Sequence, residues 1–278
     1  VSPLVFTLAT FGASMVAGVA GSILGLGGGI IVIPVLTLLL GVDIRYAIGA
    51  SIVSVIATSS GAAAAYVREH LANMRVAMFL EMGTTTGALT GAFLAGIVGG
   101  RWLFIIFSLV LGYSAFAMFR KRHGEQAHVP PDWVADRLRM HGEYFDEQAG
   151  QVVSYRVAHT FIGLGLMYIA GIVSGLLGIG SGSLKVPAMD LAMRLPIKVS
   201  SATSNFMIGV TAAASAGVYF ARGDIDPFIA APVAAGVLVG ATAGSRVLGR
   251  LKNSSIRKAF VVVLAWICVQ MLWKGIRG

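Results

Sequence analysis

The sequence predicts an all-α polytopic membrane protein: two inverted repeats, each of four transmembrane helices plus a glycine-broken half helix. A strongly apolar composition, a residue pattern that returns 153 positions later, and a helix-breaking glycine cluster in each copy lead there.

Of the 278 residues, 56% are hydrophobic and only 12% charged, and the mean hydropathy is +0.83, outside the range of an ordinary soluble domain. Apolar runs long enough to cross a hydrocarbon core of about 30 Å recur at 4–24, 44–66, 74–98, 102–119, 157–177, 197–220, 227–248 and 257–273. A β-barrel would instead show alternating segments of about ten residues. The net charge of +9 does not signal nucleic acid, because Lys and Arg sit at helix ends without interleaved exposed aromatics. Cys268 is the single cysteine and lies inside an apolar run, so neither a disulfide framework nor a cysteine metal site is available.

The repeat holds one offset without a gap. Gly25, Gly27, Gly29 and Pro34 meet Gly178, Gly180, Gly182 and Pro187; Ser51 meets Ser204, Thr58 meets Thr211, and Tyr66 meets Tyr219. Gly83, Gly87 and Gly91 meet Gly236, Gly240 and Gly244, small-residue faces suited to close helix packing. The expected organisation is a first membrane repeat over 1–120, a cytoplasmic insert over 121–156 and a second membrane repeat over 157–278.

The stretch GLGGGIIVIP at 25–34 carries no nucleotide fingerprint, since Ile30 stands where a third glycine belongs and no Gly-Lys-Ser/Thr follows. A continuous helix over 5–40 would run about 54 Å, too long for the bilayer. It must break at the glycines, and 30–40 is too short to span. GIGSGSLKVP at 178–187 repeats the device.

Positive charge sets the orientation. The loops at Arg120, Lys121 and Arg122, and at Arg246, Arg250, Lys252, Arg257 and Lys258, are the richest in Lys and Arg and are expected to be cytoplasmic. Counting spans from each puts Arg68 and Arg75 inside and Arg101, Arg222, Asp224 and Asp226 outside. Equivalent loops then face opposite sides, the repeats are inverted, and both termini are external. In the polar insert, PPDWVADRLRMHGEYFDE opens as a helix and EYFDEQAGQVVSYRV alternates about a turn as a hairpin. Its His123, His128, His141, Glu143 and Asp146 match no zinc spacing, and a solvated surface accounts for them.

An inverted pair of broken helices presents unpaired N–H groups and the positive ends of two dipoles near mid-membrane. Gly27, Gly28 and Gly29 with Gly180, Ser181, Gly182 and Ser183 are therefore the expected cradle for a small anion, although any one glycine serves helix packing equally well. Ser51, Thr203, Ser204 and Asn205 are expected to donate to its oxygens; hydroxyls bonded to their own helix are the alternative. Lys185 replaces Val32 of the first copy and either neutralises substrate charge, pairs with Asp190 or snorkels. Glu81, the lone acid well inside a span, is the proton-coupling candidate, or else a hydrogen-bonded packing residue.

The segments GLGGGIIVIPVL and AGIVSGLLGIGSGSLKVPAM, each followed by a Ser/Thr-rich element such as ATSN at 202–205, resemble the TauE/SafE family of sulfite and sulfonate exporters. The resemblance covers nearly the whole chain apart from the insert. It implies a multi-pass permease of the bacterial inner membrane for sulfur-containing anions or small organic acids, driven by an ion gradient. The expected function is a secondary transporter for a small anion such as sulfite or an organosulfonate. A passive anion channel and a membrane scaffold without transport are the alternatives. No span carries a His, Cys or paired-carboxylate constellation, so an enzyme is not expected, and neither a cofactor nor a metal is called for. The partners expected are the anion, the lipid bilayer and a coupling ion such as the proton; a homodimer is left open.

Overall fold

The structure, a computed structural model, describes residues 3–68, 71–120, 131–146, 150–180, 182–248, 251 and 253–277. The first apolar run forms α1 (Pro3–Leu24) and ends where Gly25, Gly27 and Gly28 take positive φ, a conformation that costs glycine little and other residues more. The chain re-enters a helix as α2 (Gly29–Pro34). Pro34 has no N–H to give the preceding turn, and the next turn widens into a π-helical stretch, Val35–Leu39, closed by the Leu40 N–H donating to the Val35 carbonyl. Three long helices follow: α3 (Ile44–Arg68), α4 (Met74–Ala95) and α5 (Gly100–Arg120).

Past a short insert made of α6 (Trp133–Arg137), β1 (Gly142–Asp146) and β2 (Gln151–Tyr155), the same series returns. It consists of α7 (Thr160–Leu177), α8 (Gly182–Pro187) with its π turn Ala188–Ala192, α9 (Ile197–Ala221), α10 (Pro227–Leu248) and α11 (Asn253–Arg277). The starts of α2 to α5 and the end of α1 precede their counterparts by 153 residues. Helix ends depart from the apolar runs where polar residues decide them. α11 starts at Asn253, ahead of the apolar run at 257–273, since its first turn is polar and hydropathy does not mark it. α7 starts only at Thr160 because the Val157 N–H donates to His141 and the Ala158 N–H to the Met193 carbonyl.

Packing follows the repeat. α1 lies on α10 and its counterpart α7 on α4. A Cβ on Gly236 or Gly240 would overlap the carbonyls of Phe11 or Met15, and one on Gly87 or Gly91 those of Tyr168 or Ile172. Both glycine faces therefore bring backbones into contact, as the sequence indicates. α3 and α9 pack antiparallel at the centre, with Gly49 against the Asp224 backbone and the Ser59 hydroxyl donating to the Phe206 carbonyl. α5 pairs with α11. Among the described residues, α1, α7, α10 and α11 are long and apolar enough to cross a membrane by length and composition alone. The interior α3 and α9 carry more Ser and Thr than these four, which their buried positions accommodate. Leu8, Val16, Leu109, Phe161, Ile169 and Val262 point outward and exposed, a surface suited to hydrocarbon.

The insert contains the helix and hairpin its pattern predicts, Gly142 pairing with Tyr155 and Asp146 with Gln151. It is docked rather than freely solvated. Asn73, the N-cap of α4, donates from its amide to the Met140 carbonyl at 2.7 Å and the Tyr155 hydroxyl at 2.9 Å. Arg75 donates to the Arg139 carbonyl, and Lys198 Nζ meets Asp146 Oδ1 at 3.0 Å. Asp132 caps α6 and also accepts from the N–H and hydroxyl of Thr160, tying the insert to α7. Of the histidines considered as ligands, His123 and His128 lie outside the described residues. His141 contacts Asp136 at 2.7 Å and accepts from Val157, and among the described residues no three ligating side chains converge.

Candidate functional site

The two glycine breaks meet inside the bundle, and each is fastened by the other repeat. Ser51 on α3 donates its hydroxyl to the Gly178 carbonyl at 2.7 Å, and its counterpart Ser204 on α9 donates to the Gly25 carbonyl at 2.9 Å. Breaking a helix strands carbonyls that water satisfies at a surface; here a buried hydroxyl does so. Around this clasp, Val55 of α3 and Ile208 of α9 face both Gly27 and Gly180. Gly182 lies directly on the Gly25 carbonyl and Leu26, Gly29 on Ser51, and Gly28 beside Thr58. Gly182 thus brings two backbones together, and a side chain there would collide with the Gly25 carbonyl, while one on Gly29 would collide with the side chains of Ser51 and Val55. Ser181 lies outside the described residues.

The polar residues singled out from the sequence divide by role. Ser51 and Ser204 commit their hydroxyl protons to the breaks. The Asn205 amide donates to the Ser22 carbonyl at 2.5 Å. The Thr203 hydroxyl accepts the Asn73 N–H at 3.0 Å, placing it toward the insert end of α9. Buried oxygens on Ser183, Ser200 and Asn205 have no hydrogen-bond partner among the described residues.

Lys185 and Glu81, read separately in the sequence, belong to one unit. Lys185 on α8 is fully buried and donates to the Thr211 hydroxyl at 2.6 Å, while Thr211 reaches Glu81 Oε1 of α4 at 2.7 Å. The ammonium lies 3.8 Å from Glu81 Oε2, and Thr85 adds a donor to Oε1 at 3.0 Å. The lysine therefore does not snorkel, and its ion pair is with Glu81 rather than Asp190. An ammonium in a membrane interior needs such a partner. The unit exists in one repeat only, since the positions equivalent to Lys185 and Glu81 are Val32 and Ala234, while Thr211 has Thr58 as its counterpart.

Two hollows flank this core. An apolar groove of about 540 Å³ between α5, α7 and the second half helix, lined by Leu109, Tyr113, Ile169, Leu184 and Leu191, offers little to an anion. A second cavity, about 270 Å³, is lined by Arg45, Ile48, Ala95, Gly96, Leu103, Tyr219, Arg222 and Asp224. Arg222 is held there by Asp224 at 2.9 Å, by the Ala92 carbonyl, and by the Tyr219 ring. Tyr219 donates its hydroxyl to the carbonyls of Gly175 and Leu176, in the last turn before the second break. Sequence reasoning did not single out Arg45 or Tyr219 as site residues, because only tertiary contact brings them to the cavity.

The model of the sulfite exporter TauE/SafE family matches residues 10–271. A Bacillus subtilis (strain 168) protein named "Probable membrane transporter protein YunE" is 28% identical over 273 residues, covering 94% of this chain and 96% of the relative. A "Probable membrane transporter protein" of Xylella fastidiosa (strain 9a5c) is 26% identical, with 96% and 95% covered. No solved structure matches the chain. With a family model spanning both repeats and full-length relatives named as transporters, this multi-pass chain belongs to the TauE/SafE sulfite exporter family.

Proposed function

We propose that the protein is a secondary transporter of the bacterial inner membrane that carries a small anion, a sulfur oxyanion such as sulfite or an organosulfonate. The carrying observation is the clasp of two glycine breaks with a buried ammonium on the half helix that follows one of them. In this reading the repeats are inverted. The antiparallel packing of the equivalent helices α3 and α9 supports that. The anion binds where the breaks separate, taking donors from backbone N–H groups at 27–29 and 180–183, from Ser51, Thr203, Ser204 and Asn205, and charge from Lys185. Glu81 is released from Lys185 as the anion arrives and takes up a proton, coupling flux to the proton gradient.

The test is uptake of labelled sulfite by proteoliposomes under an imposed pH gradient. Accumulation against the sulfite gradient supports a carrier, dissipative flux alone supports a channel, and no flux with sulfite or any small sulfonate removes the transport reading. Topology is checked in a Cys268→Ser background, where Arg101→Cys and Ser254→Cys are expected to label from opposite faces; labelling from one face rules out inversion.

A further inference from the structure

Arg45 and Lys198 are repeat equivalents, 153 residues apart, each in the first turn of its helix, α3 or α9. Because α3 and α9 pack antiparallel, these two cations stand at opposite ends of the central helix pair. Their surroundings differ. Arg45 is exposed and, with Arg222, lines the cavity of about 270 Å³ whose floor includes Ile48. Ile48 packs directly on Gly178, so a side chain that lines this hollow touches the second break. Lys198, in contrast, is 1% exposed and its ammonium holds the insert carboxylate Asp146 at 3.0 Å. Ser201, the equivalent of Ile48, is fully buried and packs on Gly25 of the first break.

We infer that Arg45 with Arg222, and Lys198, are paired anion subsites at the two mouths of the transport route, and that Asp146 of the insert occupies the Lys198 subsite in place of a small oxyanion. This rests on the transport reading above. Two guanidiniums around one hollow, with Asp224 balancing a single charge, leave a site that favours a monoanion. At the other end the corresponding charge is satisfied from within the chain. The insert is held on α4 by Asn73 and Arg75, which donate to the carbonyls of Met140 and Arg139, and on α7 by Thr160, which donates to Asp132. Among the described residues, the Asp146–Lys198 pair is a charged contact between the insert and α9 that an arriving anion can replace like for like. One mouth is thus open, and the other is closed by a carboxylate acting as substrate mimic.

The test uses the full chain in proteoliposomes in a Cys268→Ser background, with Ser201→Cys as reporter and Ile48→Cys as its open-side control. The label is neutral methyl methanethiosulfonate, and the probe anion is methanesulfonate. Asp146→Asn alone takes away the carboxylate that faces the buried Lys198 ammonium, so the working variant is Asp146→Asn with Lys198→Met. It is expected to label position 201 about tenfold faster or more than the parent. Methanesulfonate is expected to accelerate labelling of the parent saturably and to leave the double variant unchanged. The charge swap, Asp146→Lys with Lys198→Asp, restores the latch without an anion subsite and is expected to label slowly whether or not the probe is present. Labelling of the double variant at the parental rate overturns the gate, and a parent indifferent to methanesulfonate overturns the anion subsite. If all labelling outcomes appear while sulfite is not transported, the mouths stand and the sulfite reading falls.

Discussion

Replacing Glu81 by Gln tests the buried ion pair at its more vulnerable end. Lys185 is fully buried, with one hydroxyl donor-acceptor, Thr211, and one countercharge at 3.8 Å. Removing that countercharge leaves an ammonium with no compensation in the membrane interior, a loss of about 3–5 kcal/mol for a buried pair broken on one side. Lys185→Met leaves the opposite situation. Glu81 is 12% exposed and its Oε1 keeps donors from Thr85 and Thr211 while the buried Oε2 loses its facing charge, so the cost is smaller, about 1–3 kcal/mol. The double variant places an apolar side chain where the first copy has Val32 and is expected to regain most of the loss. At about 2–4 °C per kcal/mol the Gln variant alone melts roughly 6–20 °C lower. The assay is a double-mutant cycle in thermal melts of detergent-purified protein. If the two single losses add in the double variant, or if Lys185→Met is the more damaging, Lys185 and Glu81 do not form the unit described.

Ser51→Ala and Ser204→Ala each leave a buried glycine carbonyl unsatisfied, so each is expected to lower stability by about 1–3 kcal/mol in the same melts; a large difference between them contradicts the reciprocal clasp. Gly87→Val and Gly240→Val force backbone carbonyls apart and are expected to cost at least about 1–3 kcal/mol, matched between α4–α7 and α10–α1. For Asp132, desolvation raises the carboxyl pKa, but hydrogen bonds from Thr160, Ala135 and Val134 outweigh it and hold it below the usual carboxylate value. A depressed folded-state pKa stabilises above the unfolded value and is lost as pH falls through the folded one. Docking of the insert, followed by limited proteolysis at acid pH, is therefore expected to weaken below the ordinary carboxylate range. Asp132→Asn is expected to flatten that dependence.

What the sequence determined by itself is what local chemistry and long apolar runs encode. Hydropathy located the eight long helices of the described residues. Glycines before a proline located both breaks, because no other residues make a backbone reverse so cheaply or stop a helix so firmly. Period-two alternation in the insert found the hairpin, and a constant offset found the duplication. Tertiary structure alone decided partnership. Lys185 has an acid five residues away in Asp190, yet five residues carry a side chain round to another face of the helix, and the acid it pairs with lies in the other repeat. Ser51 and Ser204 stand out in sequence as recurring hydroxyls, but nothing local says that each serves the break of the opposite copy. Asp146 reads as a solvated acid until the hairpin folds back and lays it on Lys198. Such pairings are set by which helices lie side by side, and side-chain spacing along one strand of sequence carries no record of that.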